Sequence, residues 1–334
     1  MKTAIIGAGS WGTALATVLV DAGHDVNIWA REKEIVDGIN RTRNNPVYLP
    51  SVYLPQNVNA YTSMEECCKD CSLVIMANPS HVMREVGTKL AKHVEQDTIV
   101  VSVAKGIELD GFYTMTQVLG QVLDGVIPPS QIGVLSGPSH AEEVAERKPT
   151  AVVSSSTSKV TADFIQKNLI TPRFRIYVNT DVPGVEIAGS VKNIMAIATG
   201  IIDGADLGDN AAAGLITRSL AEIKRLGLQL GANGETFNGL AGIGDLVVTC
   251  TSRHSRNRYV GYHIGQGKSL DEIVEGMNMI AEGVKTTRSV YNWANSLGIE
   301  MPITESVYHV LFENVKPQEA VYELMTRQPK EESF

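Results

Sequence analysis

Ala4-Ile5-Ile6-Gly7-Ala8-Gly9-Ser10-Trp11-Gly12-Thr13 carries a short apolar run straight into a glycine turn and on into helix-forming residues 13–22. A strand at 3–7, then G-x-G-x-x-G, then a helix is the context that a dinucleotide-binding turn requires; the glycine pattern alone would be weak. Each glycine has its own reason. Gly7 permits the tight turn, Gly9 lets backbone approach a pyrophosphate, and Gly12 lets helix and strand pack closely. The helix N-terminus then offers unpaired N–H groups and a positive dipole end to the phosphates.

Working outward, short β-branched runs at 25–30, 72–77, 98–104 and 132–136 alternate with helix-like stretches, and runs at 151–155 and 174–179 extend the series. That alternation predicts a doubly wound, mostly parallel α/β sheet of the Rossmann type. From Pro183 onward apolar residues recur at helical spacing and strand-like runs become scarce, which predicts an all-α C-terminal domain. The boundary falls at Asp181-Val182-Pro183-Gly184, giving a dinucleotide-binding domain over 1–181 and a helical substrate domain over 182–334. A chain of 334 residues with 43% hydrophobic and 20% charged residues has room for two such cores.

Composition narrows the functional classes. A net charge of -8 without a long basic run argues against nucleic-acid binding. The chain reads as cytoplasmic: the apolar run after Met1-Lys2-Thr3 is too short for a secretory signal. The apolar stretch 185–202 is interrupted by Glu186 and Lys192, so it reads as a core helix rather than an integral membrane segment. Cys67, Cys68 and Cys71 crowd together, but no second pair completes a zinc site, so no metal is expected.

At the end of the second strand, where an NAD-binding fold usually carries an acidic residue for the ribose hydroxyls, the chain reads Ile28-Trp29-Ala30-Arg31. Arg31 can instead meet a 2′-phosphate. This points to NADP(H), with NAD(H) left open.

The chemical residues lie further along. Lys192, followed by Asn193, is the single cation of its apolar helix and is flanked by the small residues Gly189, Ser190, Ala196 and Ala198. Desolvation lowers a lysine pKa, so the neutral amine becomes accessible as the proton acceptor that alcohol oxidation needs. Lys105-Gly106 and Gly137-Pro138-Ser139 follow predicted strands and so stand at carboxyl ends, where open sheets place their ligands. Gly239-Leu240-Ala241-Gly242-Ile243-Gly244-Asp245 is glycine-rich, and Ser255-Arg256-Asn257 precede a helical stretch beginning near Arg258. A helix N-terminus with serine, asparagine and an arginine fork suits a phosphate dianion. Asp245 is expected near the reacting carbons, orienting the lysine or holding a hydroxyl.

With these residues in view, the chain resembles the bacterial-type NAD(P)-dependent glycerol-3-phosphate dehydrogenases over essentially its whole length. The resemblance rests on Gly7 to Gly12, Lys105-Gly106-Ile107-Glu108, Ser136-Gly137-Pro138-Ser139 with Ala141, and Glu186-Ile187-Ala188-Gly189-Ser190-Val191-Lys192-Asn193. It continues through Gly208-Asp209-Asn210, Leu215-Ile216-Thr217-Arg218, Gly239 to Asp245, Ser255-Arg256-Asn257 and Glu282-Gly283. It implies interconversion of sn-glycerol 3-phosphate and dihydroxyacetone phosphate, with the former supplied to phospholipid synthesis. By the same resemblance Ser10, Trp11, Arg31, Lys105, Ala141, Arg256, Ile280 and Glu282 contact the nicotinamide cofactor. Lys192 is the implied proton acceptor, with Asn193 and Asp245 beside it. Lys105, Gly137, Ser139, Lys192, Asp245, Ser255, Arg256 and Asn257 surround the substrate. Ala77-Asn78-Pro79-Ser80 departs from the pattern, with asparagine where the family usually has valine.

Two other readings compete. A 3-hydroxyacyl-CoA or 6-phosphogluconate dehydrogenase shares the build, but Lys192-Asn193 and Ser255-Arg256-Asn257 favour a small phosphorylated polyol. A dinucleotide sensor without catalysis needs a missing base, and Lys192 is present. The partners expected are small molecules, with a homodimer left open.

Overall fold

Alternation along the first strands explains how the sheet is layered. In β1 (Lys2–Ile6) Ile5 enters one core while Ala4 and Ile6 enter another. In β4 (Leu73–Met76) Leu73 and Ile75 divide from Val74 and Met76 in the same way. Successive side chains point to opposite faces, so a strand that is apolar throughout must be covered on both sides. Helix Ser10–Asp21 covers one face through Leu15, Val18 and Leu19, and helices Met83–Leu90 and Met115–Val122 cover the other. The structure, a computed structural model, describes residues 1–277, 281–329 and 331–332.

The remaining strands are β2 (Asp25–Trp29), β3 (Val58–Tyr61), β5 (Ile99–Ser102), β6 (Ile132–Ser136), β7 (Thr150–Ser155) and β8 (Phe174–Asn179). They form one eight-stranded sheet in the order β3-β2-β1-β4-β5-β6-β7-β8. Every neighbouring pair is parallel except β6 with β7, which is antiparallel. β3 has no counterpart among the expected strands. The cysteine cluster belongs to the second sheet face: Cys67, Cys68 and Cys71 are buried, and burial pushes the Cys71 thiol up to about 11.

The chain divides into two units, Met1–Ala104 with Met115–Val182, and Lys105–Thr114 with Pro183–Phe334. Lys105–Thr114 therefore leaves the sheet unit, inside which the sequence reading had kept it. These residues form a small hairpin: Ile107 bridges Thr114 in antiparallel fashion and the Glu108 N–H donates to the Tyr113 carbonyl at 2.9 Å. Gly111 and Phe112 turn it with φ of 98° and 58°, and the Phe112 ring stacks on Trp293 at 5.9 Å between centroids.

The second unit is otherwise built of helices, the longest being Val182–Gly204 and Asp209–Gln229. Val182–Gly204 is long and apolar enough to cross a membrane by length and composition, yet it is buried inside the protein and forms the centre of the helical core. Helix Arg256–Gly265 lies directly on it. A Cβ on Gly200 would stand 2.2 Å from the Arg258 carbonyl oxygen, and one on Gly261 would stand 2.0 Å from that of Ile197. Only glycine lets two helix backbones meet so closely, and the contact brings the start of the Arg256 helix beside residues 192–193.

Candidate active site

The dinucleotide turn has the shape its three glycines predict. Gly7 adopts φ of 118°, and a Cβ there would come within 2.8 Å of the Ala77 backbone. A Cβ on Gly12 would meet the Gly7 carbonyl oxygen at 2.0 Å. Gly9, by contrast, has nothing within 4 Å of its Cβ position. It is the N-cap of helix Ser10–Asp21, which has no side-chain cap and no acidic residue in its first turn. Open space at an uncapped helix N-terminus is what a pyrophosphate needs, so these residues fit the implied cofactor. Ser10 is buried with its hydroxyl on the Tyr48 carbonyl at 2.9 Å, and Trp11 packs half-buried on the core. Asn78 is buried at the close of β4; its amide N–H₂ donates to Pro79 while its carbonyl oxygen has no hydrogen-bond partner.

Arg31 stands just past β2 with its side chain 84% exposed and its guanidinium on Glu32, 2.7 Å away. Such an exposed pair is weak and screened by solvent, so Arg31 is readily released to a stronger anion. Arg43 has another task, its guanidinium donating to the carbonyls of Pro55 and Val58. In the same unit Gly137 has φ of 141° and its open side faces Val152, whose Cα lies 2.9 Å from the Cβ position. Gly137 thus serves close packing within the sheet. Ser139 donates to the Gly137 carbonyl at 3.0 Å, and Ala141 begins helix Ala141–Ala145.

The second unit gathers the chemical side chains around one carboxylate. Asp245 opens helix Asp245–Thr251 and is 1% exposed. Its Oδ2 accepts from the Lys105 ammonium at 2.7 Å and its Oδ1 from the Lys192 ammonium at 2.9 Å. Lys192 also donates to Thr249 Oγ1 at 2.5 Å, and the Thr249 hydroxyl in turn donates to the Asp245 carbonyl at 2.6 Å. Thr249 lies one helical turn after Asp245, so both face the same lysine. The sequence reading did not single it out, although the four-residue spacing from Asp245 was available. Burial is the largest influence on Lys192 and brings its pKa down to about 8, helped by the Lys105 charge and opposed by Asp245. At pH 7 roughly a tenth of such a lysine is the neutral amine.

The neighbouring residues brace this group. Asn193 accepts from the Asn257 amide at 2.9 Å, and Asn257 Oδ1 accepts the Gly283 N–H at 2.9 Å. Asn257 therefore ties three helices together through its side chain. Ser255 likewise spends its hydroxyl as the N-cap, accepting from the Arg258 N–H. The helix begins at Arg256, two residues before the expected position, and Arg256 is exposed at its first turn. Glu282 opens helix Glu282–Leu297. Ile280, expected at the cofactor, lies outside the described residues.

Comparison with known proteins places this geometry. The family model for the N-terminus of NAD-dependent glycerol-3-phosphate dehydrogenase matches residues 2–162, and that for its C-terminus matches 181–322. A glycerol-3-phosphate dehydrogenase of Salinibacter ruber, named for NAD(P)+, is 53% identical over 99% of this chain and 96% of its own length. One from Chlorobium phaeobacteroides is 50% identical over the whole of both chains. The crystal structure of glycerol-3-phosphate dehydrogenase from Coxiella burnetii superposes with a TM-score of 0.93 at 41% identity, covering 98% of this chain and 99% of that one.

Proposed function

This chain belongs to the NAD-dependent glycerol-3-phosphate dehydrogenase family, and from that premise we propose a division of labour among its side chains. The reaction is reversible hydride transfer between NAD(P)H and dihydroxyacetone phosphate, giving sn-glycerol 3-phosphate. The nicotinamide, when bound, supplies or accepts the hydride. Lys192 exchanges the hydroxyl proton. The observation that carries this role is the buried carboxylate of Asp245 shared by the Lys105 and Lys192 ammonium groups.

An ammonium has three N–H groups. Two of those on Lys192 are directed at Asp245 and Thr249, which aims the third. We assign that third N–H to the substrate oxygen. In reduction it delivers the proton to the oxygen that would otherwise become an alkoxide; in oxidation the neutral amine takes the proton back. Thr249, with its hydroxyl hydrogen committed to the Asp245 carbonyl, keeps an oxygen lone pair on Lys192 and fixes the direction of its nitrogen. Two ammonium groups on one carboxylate leave an excess positive charge, which suits both a phosphorylated substrate and the charge that develops on its carbonyl oxygen.

The substrate phosphate belongs at the start of helix Arg256–Gly265. The backbone N–H groups of the first turn and the Arg256 guanidinium hold the anion, with the Ser255 hydroxyl, which only accepts in its cap, beside them. Gly7 to Gly12 hold the pyrophosphate, and Arg31 reads the adenosine ribose. Lys192, mostly protonated at neutral pH, is ready to donate in the reductive direction, the direction that supplies glycerol 3-phosphate for phospholipid synthesis. We place the enzyme in the cytoplasm as a homodimer or monomer with small-molecule partners only; its four cysteines, all free, fit a reducing compartment.

The test compares dihydroxyacetone phosphate with unphosphorylated dihydroxyacetone in a cofactor absorbance assay, for the parent and for Arg256→Ala. The phosphate ester should be strongly preferred by the parent, and the variant should lose about ten- to a hundredfold of kcat/KM on the ester only. Equal losses on both compounds would remove Arg256 from the phosphate site.

A further inference from the structure

Lys105 is the member of the charged group that does not come from a helix. It sits at the first residue of the Lys105–Thr114 hairpin, and a side chain on a ten-residue excursion has no helix to hold its position. Something must hold the hairpin. Phe112 stacks on Trp293 at its tip. At its base, the Thr114 hydroxyl donates to Glu186 Oε2 at 2.6 Å, and both residues are 5% exposed.

The geometry of that bond connects it to Lys105. Thr114 is the antiparallel partner of Ile107, so fixing Thr114 fixes Ile107, and Lys105 is only two residues before it. Ile107 is itself buried in the helical core beside Ile187 and Val191. Glu186 lies on helix Val182–Gly204, six residues and about 9 Å along the axis from Lys192. One end of the hairpin is therefore fastened to the helix that carries Lys192, while the other delivers an ammonium to the carboxylate that Lys192 shares.

We propose that Thr114 and Glu186 are positioning residues for the reaction: their hydrogen bond pins the hairpin so that Lys105 occupies Oδ2 of Asp245 and leaves Oδ1 to Lys192. The inference rests on the reading of Lys192 as the proton carrier. If the latch opens, Lys105 is no longer held on Asp245, and the whole carboxylate charge acts on Lys192. The groups facing Lys192 are Asp245, which favours its charged form, Lys105, which opposes it, and Cys250, a buried thiol pushed up to about 11 and hence neutral. Losing the opposing charge makes the ammonium harder to deprotonate.

The experiment uses Thr114→Val, which removes the hydroxyl at nearly constant volume, and Thr114→Ser, which restores it. Glycerol 3-phosphate oxidation is followed as kcat against pH, and in parallel the Lys192 side chain is titrated by NMR with carbon-13-labelled lysine. In Thr114→Val the rising limb should move to higher pH, lowering kcat about three- to fivefold at pH 8 with recovery by pH 10. The Lys192 resonance should titrate later in step, and Thr114→Ser should behave as the parent. Lys105→Met should shift both readouts the same way, and Thr114→Val added to Lys105→Met should shift them no further. Titration of Thr114→Val at the parent position, while Lys105→Met shifts, would overturn the latch. A late-titrating Lys192 resonance with an unmoved kinetic limb would instead uphold the latch and refute Lys192 as the proton carrier.

Discussion

Replacing Asp245 by asparagine removes the negative charge between the buried Lys192 ammonium and the partly buried Lys105 ammonium, and the direction of the result follows from the geometry. Asp245 Oδ1 stands 2.9 Å from Lys192, and its attraction is the main force opposing the burial that brings Lys192 down to about 8. An opposite charge at this distance is worth about one to three pKa units, so Asp245→Asn should bring Lys192 to about 5–7. Reduction of dihydroxyacetone phosphate needs the ammonium, which is present below the pKa and lost above it. At pH 7.5 the parent is mostly protonated, whereas a lysine near 6 is protonated to roughly 3%. The variant should therefore be slower by about tenfold or more at pH 7.5 and recover much of that loss on acidification toward pH 5.5. The assay is kcat for reduction from pH 5 to 9 at saturating NADPH, with a melting curve at each pH to confirm folding. A falling limb that stays at the parent position, or moves to higher pH, would refute the electrostatic argument.

Two further outcomes are expected. Arg31→Asp should shift the ratio of kcat/KM for NADPH over NADH toward NADH at one fixed ionic strength, because a carboxylate repels the 2′-phosphate and accepts from ribose hydroxyls; an unmoved ratio would mean that Arg31 points into solvent. Glu222 is buried at the start of helix Pro302–Phe312, accepting the Ile303 N–H at 2.7 Å, and burial pushes its carboxyl up from 4.5 to about 7. A folded-state value above the unfolded one means that stability is full below pH 4.5 and declines as pH rises to about 7, by up to about 3 kcal/mol. Glu222→Gln should flatten that decline in Tm between pH 5 and 8; an identical decline would remove Glu222 as its source.

The features legible in the sequence were those whose causes are local. Gly7 and Gly12 could be read because each answers a close backbone approach around one turn, Gly9 because the same spacing leaves open space before the helix, and Lys192 because a lone cation in an apolar helix is conspicuous at the level of neighbours. β3 was not legible: Val58-Asn59-Ala60-Tyr61 is only four residues long and lacks a sustained β-branched run, and only pairing with β2 makes it a strand. Lys105–Thr114 was kept with the first domain because chain order cannot show an excursion that is held by Glu186 and Trp293, far along the chain. Residue type suggests Ser255 and Asn257 as phosphate donors, but it does not show that Ser255 also caps its helix or that Asn257 also joins Asn193 and Gly283. These bonds hold the helix start in place, which is visible only when helices distant in sequence are brought together.

The central claim is that Lys192 carries the substrate proton, and Lys192→Ala tests it most directly. Turnover and NADPH binding are measured on the same preparation, the latter by fluorescence titration, because the pyrophosphate turn at Gly7 to Gly12 is built without Lys192. Removing a positioned acid/base group should lower kcat by about 10²- to 10⁴-fold with the NADPH dissociation constant nearly unchanged. Turnover near the parent rate in Lys192→Ala would contradict the account.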